Sequence, residues 1–182
     1  MSTTTRPKAT EADLLKAPND GRKYELVDGE IVMSPAGSRH GAVCVKVSTR
    51  LGTFIEQRRL GHLFDSSTGF RMPNGNVRLP DVAFVARGRF EGGKVPEGFS
   101  PVVPDLAVEV LSPEDRPRYV LDKVGEYLDA GVPLVWVVDP KTRTATIYRS
   151  LTDVRVVAET GDLDGESVLP GFRCSLAEVF SE

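Results

Sequence analysis

Apolar positions in this chain recur with two different periods, and the switches between them mark out its elements. Over residues 38–61, "SRHGAVCVKVSTRLGTFIEQRRLG", the positions Val43, Val47, Leu51, Phe54 and Ile55 follow helical spacing. This predicts a first long helix with Ser38 as N-cap and Gly61 at its stop. Ahead of it, "EADLLKA" at 11–17 reads as a short helix, and "KYELVDGEIVMSP" at 23–35 as a β-hairpin. Asp28-Gly29 supplies that hairpin's turn, which needs positive φ. Strand signals follow in "GHLFDSS", "TGFRMP" and "VRLPDVAFV", the last two joined by a turn at Asn74-Gly75. A polar Gly/Pro-rich loop at 87–101 leads into the strand "DLAVEVLS", a helix over 116–130 that stops at Gly131, and the buried strand "VPLVWVVDP". "TATIYRS" and "VRVVAET" predict a closing hairpin, and "SLAEVF" a last helical turn.

The strand–helix–strand unit over 105–138 implies a parallel pair joined by a right-handed crossover. Combined with the hairpins at both ends, it predicts an α/β fold with a mixed central β-sheet flanked by helices. At 182 residues the expectation is a single domain over 11–182, after a disordered leader at 1–10. The longest apolar run, "VPLVWVV", is far short of the roughly 20 residues a membrane span needs, so no membrane partner is expected. The first ten residues contain no apolar stretch of the secretory kind. Cys44 and Cys174 are far apart, with no metal-ligand spacing around either, which argues against a disulfide framework or zinc ribbon and for a reducing cytoplasm.

Net charge is −3, which speaks against a dedicated nucleic-acid binder, but the charge is unevenly spread. Residues 151–182 carry −5 and the first 150 carry +2, which leaves room for a phosphate-binding face there.

Candidate chemistry lies where carboxylates interrupt buried strands. In "PDLAVEVLS", a period of two puts Asp105, Ala107, Glu109 and Leu111 on one face and Leu106, Val108 and Val110 on the other. Glu109 therefore sits mid-strand among small and apolar neighbours, where an unpaired carboxylate is costly. It has two readings: a buried ion pair with an arginine such as Arg78 or Arg71, or a functional acid. Asp81 follows Pro80 at the start of "DVAFV", where a turn-forming aspartate is the plain alternative. Two carboxylates on neighbouring strands are also able to converge on a hard divalent cation such as magnesium. In the helix that follows Glu109, Leu121, Val124 and Leu128 form the expected core stripe, with Tyr119, Lys123 and Tyr127 along its edge. Lys123 is either a transition-state cation or a lysine laid over tyrosine rings. Asp139, at the end of "VWVVD", offers a different enzyme's acid, although nothing phosphate-cradling accompanies it.

"LPDVAF", "PDLAVEVLSP", Lys123 and "YLDAGVPLVWVVDP" together resemble the Uma family of "putative restriction endonucleases", a branch of the PD-(D/E)XK nuclease superfamily. The resemblance covers about residues 20–180. It implies a restriction-endonuclease-like core and a magnesium- or manganese-dependent site that hydrolyses phosphodiester bonds of DNA. Asp81 matches the first metal-binding acid and Glu109 the second. The lysine usual two residues after the second acid is replaced by Leu111, and its role matches Lys123 on the next helix. His40 occupies the place of a glutamate common on the first long helix, either as ligand or proton shuttle or as a core-edge histidine. Glu25 also matches a family position, or is only a hairpin residue. A homodimer, touching through the hairpin at 24–33 and the loop at 87–101, is the simplest way to cut both strands of a duplex. The alternative is a nuclease fold without catalysis, serving as a nucleic-acid-binding or dimeric interaction module. If an exchangeable ion alone held Asp81 and Glu109, amide variants of both would be no less stable than the parent.

Overall fold

Strands buried on both faces need a covering layer on each, and the two long helices supply one apiece. A computed structural model describes residues 7–34 and 37–181. The elements in chain order begin with α1 (Glu11–Leu14), β1 (Lys23–Val27), β2 (Glu30–Ser34), α2 (Ser38–Arg58) and β3 (Gly61–Asp65). Next come β4 (Phe70–Arg71), β5 (Val77–Arg78), β6 (Val82–Ala86), β7 (Leu106–Val110), α3 (Pro117–Asp129) and β8 (Leu134–Asp139). The chain closes with β9 (Thr144–Tyr148), β10 (Val154–Ala158), β11 (Asp162–Asp164), β12 (Arg173–Ser175) and α4 (Leu176–Val179).

A six-stranded sheet in the order β10-β9-β8-β7-β6-β3 forms the centre. Only β7 and β8 run parallel, as the crossover requires, so the sheet is mixed. A smaller sheet, β2-β1-β5-β4, carries the N-terminal hairpin, and β9-β10 is the C-terminal one. Leu106, Val108 and Val110 of β7 face Val43, Val47, Leu51 and Ile55 of α2. Ala107, on the opposite face, packs with Val124 and Tyr127 of α3. Alternation along one strand thus assigns Glu109 to the α3 side. Among the described residues, no helix is long and apolar enough to cross a membrane.

Three local expectations change. Gly37, not Ser38, is the N-cap of α2, and the helix ends at Arg58 with Arg59 in the left-handed region at φ 53°. Gly61 is instead the first residue of β3, opposite Ala86. A Cβ there would collide with the Val85 carbonyl oxygen and lie 2.9 Å from Ala86 Cα, so the glycine serves close strand approach. On α3 the buried residues are Lys123, Val124 and Tyr127, while Leu121 is 49% exposed. The helix has turned to bring Lys123 inward at Leu121's expense. The short pair β11–β12 has no counterpart in the hydrophobic pattern. Of the expected leader, residues 1–6 lie outside the described residues, while the Ala9 N–H donates to the Gly29 carbonyl at 2.7 Å.

Gly61→Ala should destabilise the fold by about 1–3 kcal/mol, because backbone rather than a flexible side chain must move. Gly125, inside α3, is the opposite case: a Cβ there meets only Leu151 Cδ1 at 3.9 Å. Gly125→Ala should raise stability by about 0.5–1 kcal/mol. Denaturant midpoints of the two variants should therefore move in opposite directions.

Candidate active site

The site grows from two backbone facts about β6 and β7. Asp81 stands just ahead of β6, its N–H donating to the Val108 carbonyl at 3.0 Å, so the residue is locked to β7. Pro80, which has no N–H to lose, occupies the preceding position. Asp81 Oδ2 accepts the Val110 N–H at 2.8 Å, and Oδ1 accepts the Lys23 ammonium at 2.7 Å. His40, in the first turn of α2, places Nε2 3.1 Å from Oδ2. Burial alone would raise the Asp81 pKa. The His40 hydrogen bond and the charges of Lys23 and Lys123 outweigh it and hold the carboxyl well below the usual range.

Glu109 Oε1 accepts the Tyr127 hydroxyl at 2.7 Å and lies 2.9 Å from Lys123 Nζ. The same Nζ lies 3.0 Å from Glu25 Oε1. Glu25 on β1 is fully buried, accepts the Leu79 N–H at 2.7 Å, and pairs with Arg78 at 3.4 Å. Arg78 in turn donates to Glu126 at 2.6 Å and to the Tyr119 hydroxyl at 3.1 Å. Desolvation would lower the Lys123 pKa, yet the carboxylates of Glu109, Glu25 and Asp81 raise it, so the ammonium stays charged. One ammonium serves two buried acids, and the acids fare differently. Glu25 resists its own burial through Lys123, Lys23, Arg78 and the Leu79 N–H, and its pKa is lowered. Glu109 is raised, first by burial and then by its neighbours Asp81 and Glu25.

The four residues singled out from sequence, His40, Asp81, Glu109 and Lys123, line one pocket together with Lys23 and Tyr119. The ion-pair alternative for Glu109 named the wrong cations. Arg78 goes to Glu25 and Glu126, Arg71 goes to Glu11, and Lys123 takes Glu109. Asp139 is spent in a turn, accepting the Lys141 and Thr142 N–H groups, and does not line the pocket. Lys23, the pairing of Arg78 with Glu25 and the depth of Glu25 went unread. Their signal was weak but present: Lys23 and Glu25 stand two apart on β1 and so share a face.

Over residues 11–177 the chain matches the family model Uma2, described as "Putative restriction endonuclease". The chain belongs to the Uma2 family. A solved structure described as "a putative nuclease belonging to DUF820", from Anabaena variabilis, matches it with a TM-score of 0.81. That match covers 94% of this chain and 97% of the other at 21% identity, which speaks to a shared fold. Comparison with curated proteins finds no match. For this Uma2 member, the mixed sheet with a helix on each face agrees with the fold expected from sequence.

The opposite pKa directions of the two acids separate their amide variants. Asp81→Asn discards an ionised group the fold favours and should cost about 3 kcal/mol. Glu109→Gln replaces a group the fold prefers neutral, so its melting temperature should equal or exceed the parent's. This replaces the equal tolerance that an ion-only site would give. The Asp81 contribution is fully present above its unfolded pKa, about 4, and is lost as pH falls toward its depressed folded value. The Asp81→Asn deficit should accordingly shrink below about pH 4. Glu109, with a raised folded pKa, contributes stability at low pH that is lost as pH rises through that value. Any gain from Glu109→Gln should therefore grow with pH, as thermal melts across a pH series would show.

Proposed function

We propose that this Uma2-family chain is a divalent-metal-dependent endonuclease that hydrolyses DNA phosphodiester bonds in the cytoplasm. The single observation that carries the reading is Lys123 Nζ, 2.9 Å from Glu109 and 3.0 Å from Glu25, in the pocket that Asp81 also lines. Asp81 and Glu109 offer hard oxygen donors, and Glu109 is under-compensated by its neighbours, a combination that suits magnesium or manganese. Such an ion, when bound, supplies Lewis acidity that polarises the phosphoryl oxygen and acidifies water.

The chain's own residues do the rest. Lys123 stays protonated in its cage of carboxylates, so it acts as a fixed positive charge and not as a base. It stabilises negative charge developing on the phosphoryl oxygens as water adds to phosphorus and the sugar oxygen departs. Glu25, tied to Leu79 and Arg78, positions that ammonium without touching the scissile group. His40, paired with Asp81, is the candidate to accept the proton of the attacking water. First-turn residues of α2 (His40) and α3 (Tyr119) both line the pocket, so two helix N-termini border it. Their dipoles favour a phosphate there.

Lys123→Met should lower metal-supported plasmid cleavage by about a hundredfold or more. It should also destabilise the fold, since two buried acids lose their cation. The double variant Lys123→Met/Glu25→Gln removes one of those acids. It should recover much of the stability and remain as poor a nuclease. Recovery of cleavage along with stability would show that Lys123 acts only through the fold. Wild type that binds duplex DNA yet fails to cut it, whichever divalent ion is supplied, would favour a catalytically silent binding module.

We also propose a homodimer, because two sites related by a twofold axis are the simplest way to cut both strands of a duplex. Ile31 and Met33 of the β1–β2 hairpin are large apolar side chains left exposed and are candidates for the contact. Sedimentation should give twice the chain mass, and Ile31→Lys should reduce it to one chain; a wild-type monomer would refute the dimer.

A further inference from the structure

Cys44, a side chain the hydrolytic reading leaves unused, stands beside two residues that line the pocket, His40 and Asp81. His40 and Cys44 are four residues apart on α2, so their side chains leave the helix on one face. Cys44 Sγ lies 3.6 Å from His40 Nδ1 and 3.9 Å from Nε2, and Nε2 lies 3.1 Å from Asp81 Oδ2. Sulfur, nitrogen and oxygen ligand atoms of the three residues all fall within 4.8 Å of one another. The expectation that Cys44 has no metal-ligand spacing around it is thereby corrected, because helical i,i+4 spacing brings His40, not a second cysteine, beside it.

We propose that His40, Cys44 and Asp81 form a site for a soft divalent ion of the zinc class, whose occupancy excludes a hard ion from Asp81. Zinc bonds of roughly 2.0–2.3 Å at tetrahedral angles set nitrogen–oxygen and nitrogen–sulfur edges near 3.4 and 3.6 Å. The observed 3.1 and 3.9 Å edges each differ from those by about 0.3 Å, within reach of side-chain rotation. Thiol and imidazole are the ligands that distinguish zinc from magnesium, and three protein ligands leave a fourth position toward the pocket. Asp81 Oδ2 keeps its Val110 N–H bond, since a carboxylate oxygen has a second lone pair to offer. As the metal–sulfur bond forms, the Cys44 thiol proton leaves to solvent, and the imidazole binds through the Nε2 lone pair with its proton on Nδ1. The exclusion of the hard ion rests on the proposed role of Asp81, whereas zinc binding does not.

Titration of the full chain with cobalt(II), a spectroscopic stand-in for zinc, tests the binding. Wild type and Cys174→Ser should both develop a thiolate-to-cobalt charge-transfer absorption that zinc abolishes. Cys44→Ser and Cys44→Ala should lack it, and their zinc affinity, read by competition with a chromogenic chelator, should fall about a hundredfold. Circular dichroism identifies any variant that fails to fold, and the other cysteine variant then decides. No such band in wild type, or a band that survives loss of Cys44, overturns the site. In a second arm, zinc should suppress magnesium-supported cleavage by wild type and suppress it less in Cys44→Ser. Equal suppression overturns the exclusion. A cobalt band in a protein that cuts nothing would leave the zinc site standing and remove the hydrolytic reading instead.

Discussion

A single buried ammonium shared between two carboxylates organises this molecule. Lys123 reaches Glu109 on the central sheet and Glu25 on the small sheet from a helix that packs over both. In the interior, a charge without a partner costs several kcal/mol, by order of magnitude, so the lysine cannot leave without stranding both acids. Arg78 and Glu126 extend the same logic outward, and Asn76 donates to Glu126 at 2.7 Å. What looks like a polar defect in the core is a satisfied network, and α3 turns to suit it.

That turn explains why reading the sequence succeeded in some places and failed in others. Glu109 and Asp81 were legible because a carboxylate inside an alternating apolar run conflicts with its surroundings. Lys123 was legible for the tyrosines beside it. The phase of α3 was not, because periodicity treats lysine as outward and therefore put Leu121 in the core. Lys23 and Glu25 were hidden for a related reason: a hairpin pattern cannot tell that a second layer will cover its charged face. The three-residue strands β11 and β12 are too short for any period to register. Gly61 was taken for a helix stop because glycine signals both chain reversal and close approach, and only the neighbouring strand distinguishes the two.

The electrostatic design is asymmetric. Asp81 is gripped by two side chains and a backbone N–H, whereas Glu109 shares its cation and is left under-compensated. Two acids of the same nominal chemistry are thereby set apart, one firmly ionised and one receptive to added positive charge. His40 sits where this balance meets the softer donor Cys44, so one side chain borders both kinds of ligand chemistry.

The small sheet contributes to the pocket from a distance in sequence. Lys23 and Glu25 both come from β1, which is held mainly by its hairpin partner β2 and meets β5 at Leu26 and Val77. Local openings in proteins proceed by cooperative units, and a peripheral hairpin is a natural one. If β1 undocks, one cation and one anion depart together, and Asp81 and Lys123 each lose a partner in the same event. The pocket therefore behaves as a reporter on the docking equilibrium of the N-terminal hairpin, and its lifetime is bounded by how rarely that hairpin opens.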